Sequence, residues 1–331
     1  MQLQLRRGWH LPESAATSEG VFIDRRSFLK GLAAGPILTA ASPWMLTACD
    51  GSESSLTEIL ASDDPSADLY PVGRNERYIA ERPVTPEGIT GKYNNFMEFG
   101  SNKRIQKAAQ MLPIRPWTIV IDGLVEAPLT VDIDDLLARM PLEERVCRHR
   151  CVEGWSMVIP WSGFPLASLV DMARPLSSAK YLKMQTFLDS EVAPGQRQFW
   201  YPWPYTEGLT MAEATNELAF MVTGAYGKPL AKQYGAPLRL AVPWKYGFKH
   251  IKSVQQITFT DRRPVTFWEE SGSGEYGFWA NVNPDVPHPR WSQATETDLA
   301  TREEIPTQLF NGYAEFVAHL YDNLDSKDLF I

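Results

Sequence analysis

Along Glu144-Arg145-Val146-Cys147-Arg148-His149-Arg150-Cys151, a Cys, His and Cys recur at every second position with an Arg between each. That is the mark of a strand with two unlike faces, because successive side chains leave opposite sides of a pleated backbone. It puts Cys147, His149 and Cys151 on one face and Arg148 and Arg150 on the other. The same alternation predicts a strand over 117–121, bent by Asp122-Gly123, and further strands over 180–188, 218–223, 238–242 and 251–260. Acidic residues open a short helix over 132–140, and two more short helices are expected over 165–172 and 210–215. Strands and helices follow one another without a βαβ rhythm, internal repeat or heptad pattern, and no GxGxxG or phosphate-loop motif occurs. The fold class is therefore α+β and β-rich.

One stretch breaks the alternation altogether. Residues 31–48 hold no charge and follow Asp24-Arg25-Arg26-Ser27-Phe28-Leu29-Lys30, a twin-arginine export pattern. The run barely reaches membrane-spanning length and is interrupted by Gly35, Pro36 and Pro43, so it reads as a removable leader over 1–48 rather than a span. That export route carries already folded proteins through the twin-arginine translocase, which suits a passenger built around a cofactor and places it in the periplasm. Leu46-Thr47-Ala48-Cys49 resembles a lipoprotein processing box, with a small-residue cleavage site as the alternative. Residues 49–92 are polar and Pro-bearing, and read as a tether and N-terminal arm. The compact domain is expected over 93–331.

Composition narrows the chemistry. The 331-residue chain carries a formal charge of −8. The leader holds more basic than acidic residues, so the remainder is more acidic still, and nucleic-acid binding is not expected. With 25 Pro, 22 Gly and 11 Trp, the chain reads as a loop-rich enzyme. Of its three cysteines, Cys147 and Cys151 fall on the alternating strand, where four residues span about 13 Å, beyond disulfide reach. A helical course would bring the two sulfurs closer. A zinc site from Cys147, His149 and Cys151 would need a fourth ligand and a bent backbone. The sequence has no CxxCH haem attachment, no cysteine cluster for iron and sulfur, and no flavin or nicotinamide fingerprint, so electrons for redox chemistry must come from a partner.

Several longer motifs resemble one family. Tyr93-Asn94-Asn95-Phe96-Met97-Glu98-Phe99-Gly100, Cys151-Val152-Glu153-Gly154-Trp155-Ser156-Met157, Gly235-Ala236-Pro237-Leu238-Arg239, Val242-Pro243-Trp244-Lys245-Tyr246-Gly247-Phe248-Lys249, Asn281-Val282-Asn283-Pro284, and His288-Pro289-Arg290-Trp291-Ser292-Gln293-Ala294-Thr295-Glu296 are similar to the catalytic subunits of periplasmic protein-methionine-sulfoxide reductases. These are molybdopterin enzymes of the sulfite-oxidase-type fold. The resemblance runs from about residue 93 to 316.

By that resemblance, Cys151 ligates molybdenum, a soft donor for a metal also held by the dithiolene sulfurs of molybdopterin. Asn94, Met97, Glu98 and Thr186 match pterin-contacting positions, and Arg239, His250, Ile251 and Lys252 match positions near the phosphate. Tyr234 stands where the family has Asn, so its hydroxyl or backbone must serve instead. Cys147 reads as a small buried apolar residue. On the sequence alone, Lys245, Lys249 and Lys252 form a basic cluster, either a solvated face or an anion site. Glu153, two residues from the ligand, is the candidate for proton delivery, with a surface or structural acid as the alternative. Trp155, Trp161, Trp244 and Trp291 are candidates for an apolar substrate cleft, of which only a minority would touch substrate. The activity implied is reduction of methionine sulfoxide in oxidised periplasmic proteins, with electrons from a haem-containing membrane subunit fed by quinol. A sulfite dehydrogenase-like enzyme and a non-catalytic envelope lipoprotein are the alternatives.

Overall fold

The computed structural model describes residues 64–322, 324, 329 and 330. The leader with Arg25 and Arg26, the Cys49 processing box and the first part of the tether lie outside the described residues.

Two sheets make the body. The first has the order β2 (Leu129–Asp132), β1 (Thr118–Gly123), β10 (Val254–Thr260), β5 (Tyr181–Thr186) and β6 (Thr206–Thr210). Buried and exposed residues alternate along β1 and β5, so one face packs on the core while the other meets water. The second sheet joins β3 (Glu143–Arg150), β4 (Trp155–Pro165), β7 (Phe220–Ala225), β8 (Lys228–Pro229), β9 (Arg239–Ala241), β11 (Thr295–Asp298) and β12 (Glu304–Pro306). Its axis is β4, buried over all but its last residue and paired with β3, β7 and β11. A strand covered this completely shows no alternation, which is why periodicity gives no sign of it.

The short helices form where local chemistry starts them. Asp132 caps Ile133–Arg139, its carboxylate accepting the Asp134 N–H at 2.9 Å. Thr210 and Glu213 close a capping box on Met211–Ala214. A third helix, Leu166–Ala173, follows directly from β4.

Both faces of β3 are covered. On one, Arg150 is 0% exposed beneath the segment around 291–307. On the Cys147 face, Arg145 is buried with its guanidinium 4.0 Å from the Tyr78 ring centroid. The described part of the N-terminal arm is laced onto the same sheet. The Asn75 N–H donates to Glu144 O at 2.8 Å and the Thr85 N–H to Val158 O at 2.9 Å. Arg82 reaches Glu296 and Asp298 at 3.0 and 2.7 Å.

Candidate active site

β3 and β4 form an antiparallel hairpin, and Cys151 opens its turn. The Cys151 N–H donates to Trp155 O at 2.9 Å, and the Gly154 N–H returns to Cys151 O at 3.1 Å. Gly154 takes φ +82°, a left-handed conformation for which glycine carries no Cβ penalty. The Cys-Val-Glu-Gly stretch is thus the tip between two long strands, at the end of the longest pairing in the second sheet.

The turn is also held from behind. Arg150 donates to Cys151 O through Nη1, while Trp291 Nε1 and Gln293 Nε2 both donate to Val152 O, at 2.8 and 2.9 Å. Arg150 is itself paired with buried Glu296 at 2.8 Å. The His288 to Glu296 motif therefore acts as a brace for the Cys151 turn. Trp291 does this work rather than lining the cavity, and Trp244 is core, 0% exposed with its indole N–H on the Tyr321 hydroxyl.

One cavity collects the rest. Asn94, Met97, Glu98, Cys151, Glu153, Tyr234, Arg239, His250, Ile251 and Lys252 all line it, together with Trp155 and Trp161. Thr186 is not in the lining: it is buried, with its hydroxyl donating to Ser253 O at 3.0 Å. The Tyr234 hydroxyl pairs with Thr90 Oγ1 at 2.6 Å, and its backbone carbonyl accepts Arg239 Nη1 at 2.7 Å. Cys147 sits on β3 opposite Ile159, buried and free, as is Cys151; no disulfide joins them. Among the described residues no group of three His, Cys, Asp or Glu could hold a metal, so the zinc alternative is not assembled.

At the mouth, Glu153 accepts from Trp155 Nε1 at 2.9 Å, from Asn95 Nδ2 at 3.2 Å, and from Lys103 Nζ. Asn95 Nδ2 also points at Cys151 Sγ, 3.4 Å away. Burial raises the Glu153 carboxyl, but Lys103, Trp155 and Asn95 outweigh it and hold the group below its usual range. Asn95 and Lys103 were not singled out from the sequence. Asn95 lies inside the Tyr93 to Gly100 motif, whereas Lys103 sits in a loop beyond it and gives no signal.

Elsewhere the cavity is cationic: Lys252 has Glu98 as an acidic neighbour, but Arg239 has no carboxylate partner. Arg239 is 3% exposed, and its guanidinium donates only to the carbonyls of Tyr234, His250 and Leu240. Burial brings it down to about 9. Burial, then Arg239, brings Lys252 down to about 7. His149 and His250 meet edge to face at 4.8 Å, and each has a buried Nδ1 with no partner. Burial first, and then the neighbouring positive groups, push both imidazoles well below their ordinary value. Buried donors and cations matched only by carbonyl oxygens are costly unless an anion completes them.

Residues 107–268 match the oxidoreductase molybdopterin binding domain family. The chain is 44% identical to the protein-methionine-sulfoxide reductase catalytic subunit MsrP of Xanthomonas axonopodis pv. citri (strain 306), over 99% of this chain and 100% of that protein. It belongs to that family. Among solved structures it is similar to the sulfane dehydrogenase SoxCD from Paracoccus pantotrophus, at a TM-score of 0.41 and 20% identity, over 69% of this chain and 60% of that one. Likeness at that level says nothing of what either chain acts on.

The cofactor of this reductase family member is molybdenum-molybdopterin, and the residues present suit it. Cys151 is the one cysteine in the cavity, and its thiol is the group there that could give a soft thiolate donor to a metal held by a pterin. Burial, reinforced by Glu153, pushes its thiol up to about 12, so a bound cation is what would make it a thiolate. Arg239 and the orphaned imidazole nitrogens offer what the pterin's phosphate and polar ring atoms need.

Proposed function

We propose that this chain reduces methionine sulfoxide residues within oxidised periplasmic proteins. Two electrons would come from a haem-containing membrane subunit fed by quinol. The molybdenum centre supplies oxygen-atom transfer: the S=O bond breaks, and with two electrons and two protons the products are the thioether and water. Cys151 is the protein ligand to the metal, at a turn that Arg150, Trp291 and Gln293 keep in one position. Asn94, Met97, Glu98, Tyr234, Arg239, His250, Ile251 and Lys252 would surround the pterin and its phosphate, with Thr186 supporting the Ser253 backbone behind them. Glu153, held by Lys103 and Asn95 beside the thiol, is placed to pass a proton between solvent and the reacting atoms. Trp155 and Trp161 would exclude water from the apolar part of the cleft.

The observation that carries this reading is that Cys151 lines one cavity together with Arg239, a buried guanidinium that has no carboxylate partner. Export by the twin-arginine translocase and lipid attachment at Cys49 belong to the same proposal. They rest on the leader sequence, and they would keep the enzyme beside its electron donor.

Cofactor-loaded protein, made through a competent twin-arginine pathway and given an artificial reductant, is expected to convert methionine sulfoxide to methionine. Oxidation of sulfite without sulfoxide turnover would replace this reading with the sulfite dehydrogenase-like one. Purified protein without molybdenum would replace it with a non-catalytic lipoprotein.

A further inference from the structure

Between β5 and β6 the chain makes a loop, 187–205, whose base is fixed to the cavity wall. The Gly195 N–H donates to Glu98 O at 2.8 Å, and a Cβ on Gly195 would stand 2.1 Å from Met97 O, so only glycine permits the approach. Gln196 is spent on the Phe187 carbonyl and the Asp189 N–H, at 2.8 and 2.7 Å. The tip is closed on itself: the Tyr201 N–H and Trp203 Nε1 both donate to Gln198 O, each at 3.1 Å.

This internally tied loop holds two large aromatic rings in water. Phe199 is 88% exposed and Trp200 62%, and Leu188 at the loop's base is 62% exposed. Core packing gives no reason for them, and clustered exposed apolar side chains mark contact surfaces. The rings are continuous with the site. Centroid separations of 5.3, 6.2, 6.1 and 5.1 Å link Phe199 to Trp200, Tyr201, Trp268 and Tyr276 in turn, and the last three line the cavity that holds Cys151.

We propose that Phe199 and Trp200 are a docking platform for the polypeptide beside an oxidised methionine, in an extended or unfolded stretch of a protein substrate. The proposal rests on the sulfoxide-reductase reading. A methionine sulfoxide side chain reaching toward Cys151 leaves its own backbone at the cavity mouth, so the flanking residues must lie on the surface around it. Aromatic faces bind apolar side chains and backbone with little demand for sequence, which suits an enzyme meeting many proteins. The rigid loop spares the entropy of ordering the platform when substrate arrives.

The test is the double variant Phe199→Ala with Trp200→Ala, cofactor-loaded and driven by an artificial reductant. Two substrates are compared: free methionine sulfoxide and a chemically oxidised, unfolded casein. We expect kcat/KM for the oxidised casein to fall about tenfold or more through KM, with free methionine sulfoxide within about twofold of the parent. Trp200→Phe alone should keep most of the casein activity, since it keeps an aromatic face. Equal losses on both substrates, or no loss on casein, would overturn the platform. So would a loss seen only when electrons enter through a membrane donor, which would assign the rings to that donor. A parent enzyme active on free sulfoxide but not on casein also refutes the platform while leaving the sulfoxide chemistry intact. A parent inactive on both removes the underlying reading, and this one with it.

Discussion

Two sets of buried cations lie within a few residues of each other in the chain, and their partners differ. Lys245 and Lys249 are each 0% exposed, and each has its own buried carboxylate: Lys245 Nζ is 2.6 Å from Glu213, and Lys249 pairs with Glu207. Lys245 also donates to Trp279 O and Asn281 Oδ1, at 2.7 and 2.8 Å. Burial raises the Glu213 carboxyl, but Lys245 outweighs it and holds the group below its ordinary value. Arg239, by contrast, meets only carbonyl oxygens, and the two imidazoles near it keep unpartnered nitrogens. The first set carries its own counter-charges, although Lys249 Nζ and Glu207 Oε1 make no hydrogen bond. In the second, Lys252 shares Glu98 while Arg239 has no carboxylate partner, which is what the proposed phosphate contact would supply.

Lys245→Met should have the largest effect on the fold, because it strands Glu213 in the interior without its counter-charge. A loss of about 3–5 kcal/mol in urea unfolding of the cofactor-free protein is expected. Much of it should return on adding Glu213→Gln. A Lys245→Met loss below about 1 kcal/mol would show that the pair is no more structural than the cavity cations.

Arg239→Gln should behave in the opposite way. Removing a buried charge that has no acidic partner is expected to leave the cofactor-free fold within about 1 kcal/mol of the parent, or slightly stabilised. Molybdopterin content of the purified protein should drop about tenfold or more, through loss of a charge-assisted phosphate contact. Full pterin content in the variant would break the distinction between the two sets.

A smaller effect follows from pH. Burial lifts Glu98 from 4.5 to about 7 and lowers Lys252 from 10.5 to about 7. Glu98 contributes stability that is present below 4.5 and lost as pH rises through 7. Lys252 contributes stability that is present above 10.5 and lost as pH falls through 7. The urea midpoint of cofactor-free protein should therefore dip near neutral pH relative to values at about pH 5 and 9, and Lys252→Met should remove the alkaline rise. A midpoint that peaks at neutrality and is unchanged in shape by Lys252→Met would contradict this.

What could be read from the sequence had local causes. The helices that Asp132 and the Thr210/Glu213 capping box start lie within a residue or two of the ranges read from the sequence. The half-exposed strands of the first sheet showed their alternation. Strand β4 gave no such sign, because it is buried almost end to end. The same burial hid the fate of Arg150 and of the Lys245/Lys249 pair, whose carboxylates are supplied by Glu296, Glu213 and Glu207 from distant parts of the chain. Of the three lysines, only Lys252 lines the cavity, with Arg239 and two histidines. Cys151, Glu153 and most of the motif candidates line one cavity, whereas Thr186, Trp244 and Trp291 lie outside its lining. Asn95 and Lys103 completed the mouth through contacts that linear spacing does not encode.

The most direct measurement is molybdenum content and sulfoxide turnover in two cysteine variants, purified after twin-arginine export and assayed with an artificial reductant. Cys151→Ser puts a harder, far less acidic oxygen at the hairpin tip, so it should abolish methionine sulfoxide reduction even where some pterin stays bound through its phosphate. Cys147→Ser, buried beside Tyr313 and away from the cavity, should keep its molybdenum and most turnover, at a modest cost for a buried hydroxyl. An active Cys151→Ser enzyme alongside a dead, molybdenum-free Cys147→Ser would place the metal on the wrong end of β3 and contradict the account.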